Sequence, residues 1–350
     1  MLLTYYFPAA DIHQKPIEIQ RYSRCLSGKR SSECHYKPSE SAGYGMRAGH
    51  RRQHLPAPVK IKKIDARNIK MLSSITALKG QPMQTDSSGY SDKGMAREGN
   101  EDCFVIAPEI GFFAVADGMG GHNAGEVASR MAIDVLRNYL ERTITDGRKP
   151  GKDKNPEYSD AANHLASGIR HANRVIYEST RNNPAWRNMG TTIVAAILNQ
   201  DRLSIAHVGD SRAYLLRGGG MIALTEDHSL VAEQVRMGHI SRETAELSSQ
   251  RNIITRALGL EAEPELDLCD LLLAPEDRIL LCSDGLTTMV TEAKIRSIVL
   301  GSSNPDEICR LLVKEANRNG GKDNITVAVI LVRGGTFSGL SRIYNWARSI

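Results

Sequence analysis

Three apolar runs of strand length each end in an aspartate followed by a small residue: Phe112-Phe113-Ala114-Val115-Ala116-Asp117-Gly118, Ile205-Ala206-His207-Val208-Gly209-Asp210-Ser211 and Ile279-Leu280-Leu281-Cys282-Ser283-Asp284-Gly285. A fourth aspartate, in Asp323-Asn324, stands at the mouth of Ile325-Thr326-Val327-Ala328-Val329-Ile330-Leu331-Val332. A carboxylate at the end of a buried strand is costly unless a positive charge neutralises it, so several converging there imply a shared cation. Oxygen donors without an accompanying His/Cys cluster point to magnesium or manganese rather than zinc. Upstream, Arg97-Glu98-Gly99-Asn100-Glu101-Asp102 sets an arginine and two adjacent carboxylates just before another strand. Consecutive strand side chains point to opposite faces, so without a bend one of Glu101 and Asp102 binds the ion and the other orders its water.

The elements that must position these groups follow from periodicity. Strand-like runs cover about 103–107, 112–116, 191–198, 202–208, 213–217, 278–282 and 325–332, many joined by short turns that suit antiparallel neighbours. Gly218-Gly219-Gly220 reads as a hairpin turn and not as a phosphate loop, because no Lys-Ser/Thr or helix start follows it. Helical periodicity marks 124–142, 160–181, 230–237, 292–300 and 305–317, the last opening on an Asn304-Pro305 cap. Strands come in adjacent runs and long helices in blocks, which favours an α+β layered domain with antiparallel sheets over a doubly wound parallel one.

The net charge of +5 conceals an asymmetry. Residues 1–85 hold 15 Lys+Arg against 5 Asp+Glu, so of the 45 basic and 40 acidic residues the remainder keeps 30 against 35. A basic tail precedes a mildly acidic body, and the overall charge is no argument that the body binds nucleic acid. With only scattered apolar positions, 1–85 is expected to be mostly disordered apart from a short helix over 66–78, and dispensable for catalysis. It shows no helix-turn-helix, zinc finger or aromatic platform. The six cysteines form no CxxC pair or framework and read as reduced, in keeping with a cytoplasmic protein. No run reaches the length needed to span a bilayer. The apolar stripe within 337–347 is expected to pack on the body rather than on a membrane.

Taken together, Arg97-x-x-x-Glu101-Asp102, Asp117-Gly118-x-Gly120-Gly121-His122, Gly190-Thr191-Thr192, Gly209-Asp210-Ser211-Arg212, Ser283-Asp284-Gly285 and Asp323-Asn324 resemble the metal-dependent type 2C serine/threonine protein phosphatases in their bacterial form. The resemblance covers about 89–333, with 1–88 as an N-terminal extension and 334–350 as a short tail. It implies an α-β-β-α sandwich, two antiparallel sheets flanked by helix pairs, with a mobile flap at about 225–263 that helps choose substrates. It implies two principal Mn²⁺ or Mg²⁺ ions bridged by Asp117, with Glu101 and the Gly118 carbonyl completing one site and Asp284 and Asp323 the other. Asp102 then orders a water of the site, and Asp210 with Asp284 matches a weaker third metal position. Arg97 would clamp the phosphoryl oxygens and His122 protonate the departing serine or threonine oxygen. Ser211 and Arg212 read as stabilising their loop, and Gly190-Thr191-Thr192 as close backbone packing beside the site.

The chemistry agrees with that resemblance: a phosphate monoester dianion repels hydroxide, and paired divalent ions supply both positive charge and an available nucleophile. The implied partners are phosphorylated proteins, substrates of a Ser/Thr kinase and the kinase itself, acted on by a monomer. Two other readings stand beside it: a phosphatase serving a partner-switching anti-anti-sigma regulator, and a non-catalytic phosphoprotein-binding scaffold. The scaffold reading expects a lost ligand, whereas Glu101, Asp117, Asp284 and Asp323 are all present.

Overall fold

Strand β3 (Phe112–Met119) shows how the layers arise, because both of its faces are apolar. Phe112, Ala114 and Ala116 pack with helices α1 (Ala124–Thr145) and α2 (Asp160–Asn182), while Phe113 and Val115 pack against a second sheet. A strand buried on both sides must lie between two layers, and this alternation is repeated along the chain. The computed structural model describes residues 83–120, 124–151, 154–246 and 248–333.

One sheet has the order β2 (Asp102–Ala107), β3, β5 (Ile193–Asn199), β6 (Arg202–Val208), β9 (Asp267–Leu272), with the two-residue β4 (Gly190–Thr191) paired to β3. The other has the order β1 (Thr85–Asp92), β11 (Ile325–Val332), β10 (Arg278–Cys282), β7 (Arg212–Arg217), β8 (Gly220–Ala223). Every pairing is antiparallel. Val194, Ala196, Leu203 and Ile205 of the first sheet meet Ala213, Leu215, Ile279, Leu281 and Ile330 of the second. The outer face of the second sheet is covered by α6 (Glu292–Gly301) and α7 (Pro305–Arg318), through Ile295, Val299, Ile308, Leu312 and Val313. The result is the expected α-β-β-α sandwich.

Local signals account for the helix ends. The Asn304 side chain accepts hydrogen bonds from the Asp306 and Glu307 amides, with Pro305 in the first turn. Ser159 caps α2 from the Ala162 amide and also donates to Asp270 of β9, fastening the helix to its sheet.

Three strands escape the periodicity. β1, Thr-Asp-Ser-Ser-Gly-Tyr-Ser-Asp, is a polar edge strand paired along its whole length to β11, so the boundary drawn at residue 89 falls inside it. β8 is only four residues long, and β9 mixes aspartates into an edge. The expected helix over 66–78 and the tail over 337–347 lie outside the described residues.

Residues 225–263 leave the sandwich between β8 and β9. They hold two short helices, α3 (Leu230–Arg236) and α4 (Arg242–Glu246), and carry exposed Met237, Ile253 and Leu260. Their moorings include Leu258, bonded both ways to the Thr191 backbone, and Gly259, whose amide donates to Asn173. Among the described residues no helix is long and apolar enough to cross a membrane.

Candidate metal centre

Antiparallel register alone gathers the candidate residues at one end of the sandwich. Asp102 opens β2 directly opposite Asp117 near the end of β3. Cys282, two residues before Asp284, lies opposite both Arg212 and Val327, and Asp323 stands just before β11. Asp210 occupies the turn between β6 of one sheet and β7 of the other. Asp284 is the first residue of a one-turn helix, α5 (Asp284–Thr287). The carboxylates therefore straddle the seam between the sheets.

Asp102 is 9% exposed and its Oδ2 accepts a 2.8 Å hydrogen bond from Ser283 Oγ, but its buried Oδ1 has no partner. Burial, with added repulsion from Asp284 and Asp323, pushes the Asp102 carboxyl up to about 7. Glu101, Asp117, Asp210, Asp284 and Asp323 are half-buried as residues, and desolvation is the largest influence on Glu101, Asp117, Asp210 and Asp284. Asp117 is held well above the usual carboxylate range by desolvation and by the charges of Asp102, Asp284, Asp210 and Asp323. Asp210 is pushed up to about 7 by desolvation and then by Asp284 and Asp227. Asp284 is raised to about 6 by desolvation and Asp323, against the pull of Arg212 and a hydrogen bond with Asp117. Glu101 is raised by desolvation and lowered by Arg97. Such a set of mutually repelling oxygens, one of them buried without a partner, fits hard divalent cations.

The supporting residues explain how these groups are held. The Asp117 carbonyl accepts from the Thr192 amide and the Thr191 hydroxyl, and its amide donates to Thr192 Oγ1, which also meets Ser211 Oγ at 2.7 Å. Gly190-Thr191-Thr192 and Ser211 thus pack beside the site as the sequence suggests. Arg212 grips Asp227 in a bidentate pair, at 2.7 Å and 2.6 Å, rather than reaching the carboxylates. A Cβ at Gly118 would lie 2.1 Å from the Gly125 carbonyl oxygen, so only glycine permits this approach of β3 to the start of α1.

Glu101 is separated from Asp102 by the start of β2. Its amide donates to Asn324 Oδ1 and its carbonyl accepts from the Gly118 amide. Arg97 stands at the rim, half exposed, with Nη2 2.8 Å from Asp323 Oδ2. His122 lies outside the described residues. Sequence reasoning assigned no task to Ser283 or to Asn324, whose amide nitrogen donates to the Lys93 and Gly99 carbonyls and fixes the loop carrying Arg97. Both sit in quoted motifs, so adjacency to Asp284 and Asp323 was the available signal.

Residues 98–307 match the profile described as protein phosphatase 2C. The chain belongs to the protein phosphatase 2C family. It is 40% identical over 243 residues to the serine/threonine phosphatase stp of Listeria innocua, covering 69% of this chain and 93% of that protein. The catalytic domain of the phosphatase PstP, solved in complex with two manganese ions, superposes with a TM-score of 0.60 at 35% identity, over 71% of this chain and 99% of that one. PppA, a regulatory component of T6SS in Pseudomonas aeruginosa, gives a TM-score of 0.60 at 33% identity over 72% and 99% of the two chains. As a type 2C family member this protein is a metal-dependent serine/threonine phosphatase, with the α+β fold and the Mn/Mg dependence that its sequence implied.

Proposed function

We propose that the phosphatase reaction takes place at the seam, where Asp117 would be shared by two Mn²⁺ or Mg²⁺ ions, Glu101 and the Gly118 carbonyl would help to hold one, and Asp284 and Asp323 the other. The observation that carries this assignment is the convergence of five aspartates from both sheets, with Asp102 Oδ1 buried and unpartnered among them. Asp210, beside Asp284, would contribute to a weaker third position. When bound, the ions supply positive charge for the phosphoryl oxygens and a water acidic enough to attack near neutral pH.

The chain's own groups do the rest. Asp102, held through Oδ2 by Ser283, keeps Oδ1 available to accept from the attacking water and set its direction. Arg97, at the rim beside Asp323, binds the phosphoryl oxygens through its guanidinium. His122 donates a proton to the serine or threonine oxygen as it leaves, since an alkoxide is a poor leaving group. The 225–263 segment acts as a flap whose exposed Met237, Ile253 and Leu260 meet the substrate protein. The substrates are phosphoproteins, and we place the enzyme in the cytoplasm as a monomer opposing a Ser/Thr kinase and acting on that kinase. The stretch that precedes β1, within residues 1–85, serves as an extension that catalysis does not need.

The decisive experiment is hydrolysis of a phosphothreonine peptide with and without manganese by the wild type and by Asp117→Asn. Loss of turnover together with loss of both tightly bound ions is expected. A fully active variant would refute the site assignment.

A further inference from the structure

His228, 3% exposed, makes contacts that none of the roles above uses. Its amide donates to the Gly209 carbonyl at 2.9 Å, and its Nδ1 accepts from the Gly209 amide at 3.1 Å. One histidine thus closes both backbone groups of the residue preceding Asp210. Gly209 has φ +107°, and a Cβ there would come within 2.6 Å of Thr192 Cβ, so the turn has little alternative conformation. Because a backbone amide can only donate, His228 Nδ1 must be unprotonated and the neutral ring carries its proton on Nε2.

That second nitrogen faces β9 and the far end of the 225–263 excursion. Nε2 lies 3.5 Å from Asp267 Oδ2. Arg256 pairs through Nη1 with Asp267 Oδ1 at 3.6 Å and through Nη2 with Glu265 at 2.9 Å; its 3.3 Å approach to Nε2 sets donor against donor, so it acts on His228 through their shared partner Asp267. The His228 carbonyl accepts from the Thr255 amide at 2.8 Å. One route from the returning arm of the segment to Asp210 therefore runs through the His228 side chain.

His207, His228 and Asp267 are close enough to suggest a metal site, with ligand atoms within 4.8 Å of one another. Their other contacts argue against it. The two rings stack, with centroids 4.6 Å apart and planes 22° from parallel, so their ring-plane lone pairs do not converge. His207 Nε2 is 2.9 Å from the Glu226 carbonyl, His228 Nδ1 is taken by Gly209, and the Arg256 guanidinium occupies the approach to His228 Nε2.

We propose that His228 is a positioning residue that couples the posture of the 225–263 segment to Asp210, so that the hold of Asp210 on an ion depends on the Arg256 and Asp267 contacts beyond it. The coupling rests on the reading of Asp210 as a ligand of a weak third ion.

The test uses the full chain and three variants. His228→Asn keeps an acceptor close to the Nδ1 position, His228→Gln moves its polar group towards Nε2, and Arg256→Ala releases the latch without touching Gly209. Three measurements are made: ¹⁵N NMR of the imidazoles, hydrogen exchange of the segment containing the Gly209 amide, and manganese titration followed by calorimetry and by phosphopeptide turnover. The wild type is expected to show His228 protonated at Nε2 alone. His228→Gln should speed Gly209 exchange and raise the manganese midpoint of the weak site about tenfold, roughly the worth of one hydrogen bond, while the tight sites stay unchanged. His228→Asn should restore both, and Arg256→Ala should raise the midpoint without loss of the tight ions.

Protonation at Nδ1, equal damage from the Asn and Gln variants, unaltered Gly209 exchange, or an unmoved midpoint in Arg256→Ala would each overturn the coupling. Asp210→Ala separates the two ideas. If it leaves the weak-site midpoint unchanged, the Asp210 reading fails, while the NMR and exchange results still decide whether His228 anchors the turn.

Discussion

Removing the divalent ions should make the fold lose stability as pH rises. Asp102, Asp210 and Asp284 sit at about 7, about 7 and about 6 against a reference of 3.8, and Asp117 is raised well above it. Each carboxyl is thus a weaker acid in the folded state, which holds protons that the unfolded chain has already released. The associated stability is full below about pH 4 and is lost as pH climbs through the folded values near 6 and 7. The Asp102 shift alone, about three pK units, corresponds to roughly 4 kcal/mol. The groups repel one another, so their contributions overlap rather than add. About two of those three pK units, roughly 3 kcal/mol, are lost between pH 5 and pH 8, so for an ordered body of this size Tm in EDTA should fall by about 8 °C over that window. Thermal unfolding in EDTA and in excess manganese reads the effect directly: the manganese-bound curve should stay flat, and Asp117→Asn should melt higher than the wild type in EDTA at pH 8. A metal-free Tm that rises with pH, or an Asp117→Asn variant that melts lower, would refute the idea that the cluster is held against its own repulsion.

Other consequences are more local. Ser283→Ala should leave the tight ions bound but reduce kcat by about tenfold, as expected when one hydrogen bond orienting Asp102 is lost; calorimetry and turnover measured together check this. Asn324→Ala, which frees the Glu101 amide and the Lys93 and Gly99 carbonyls, should cost about 2 kcal/mol or more in denaturant unfolding. Arg97→Ala should lower kcat/KM for phosphopeptides by about 10²-fold in steady-state assays while sparing metal affinity. His122→Ala should slow phosphoserine peptides by about 10²-fold yet spare p-nitrophenyl phosphate, whose phenolate leaves unaided.

Strands buried on both faces were legible because their runs are long and apolar, as in Ile325–Val332, where every residue is buried. β1 was not, because an edge strand needs no apolar face and Thr85–Asp92 draws its order from β11 instead. The aspartates of the site stood out because a carboxylate closing an apolar run carries a cost that something must offset. Ser283 and Asn324 carry no such anomaly. Their partners lie 181 and 223 residues away, and a single hydroxyl or amide has no periodicity to mark it. His228 was visible only as one polar residue among several in a polar stretch, and its meaning depends on Gly209 and Asp267 arriving at its two nitrogens.

Placing the carboxylates on the seam gives the ions a second mechanical effect. Asp102 and Asp117 belong to one sheet, and Asp284 and Asp323 to the other, with Ser283 Oγ donating across to Asp102 while accepting from the Thr326 amide. Under the proposed assignment, ions gripped from both sides would act as a rivet through the sandwich, and pulling the sheets apart would require drawing it out. When divalent ions are scarce, the end of the sandwich that loses its chemistry would then also be the end that opens, and a protease should cut the idle enzyme more readily than the working one.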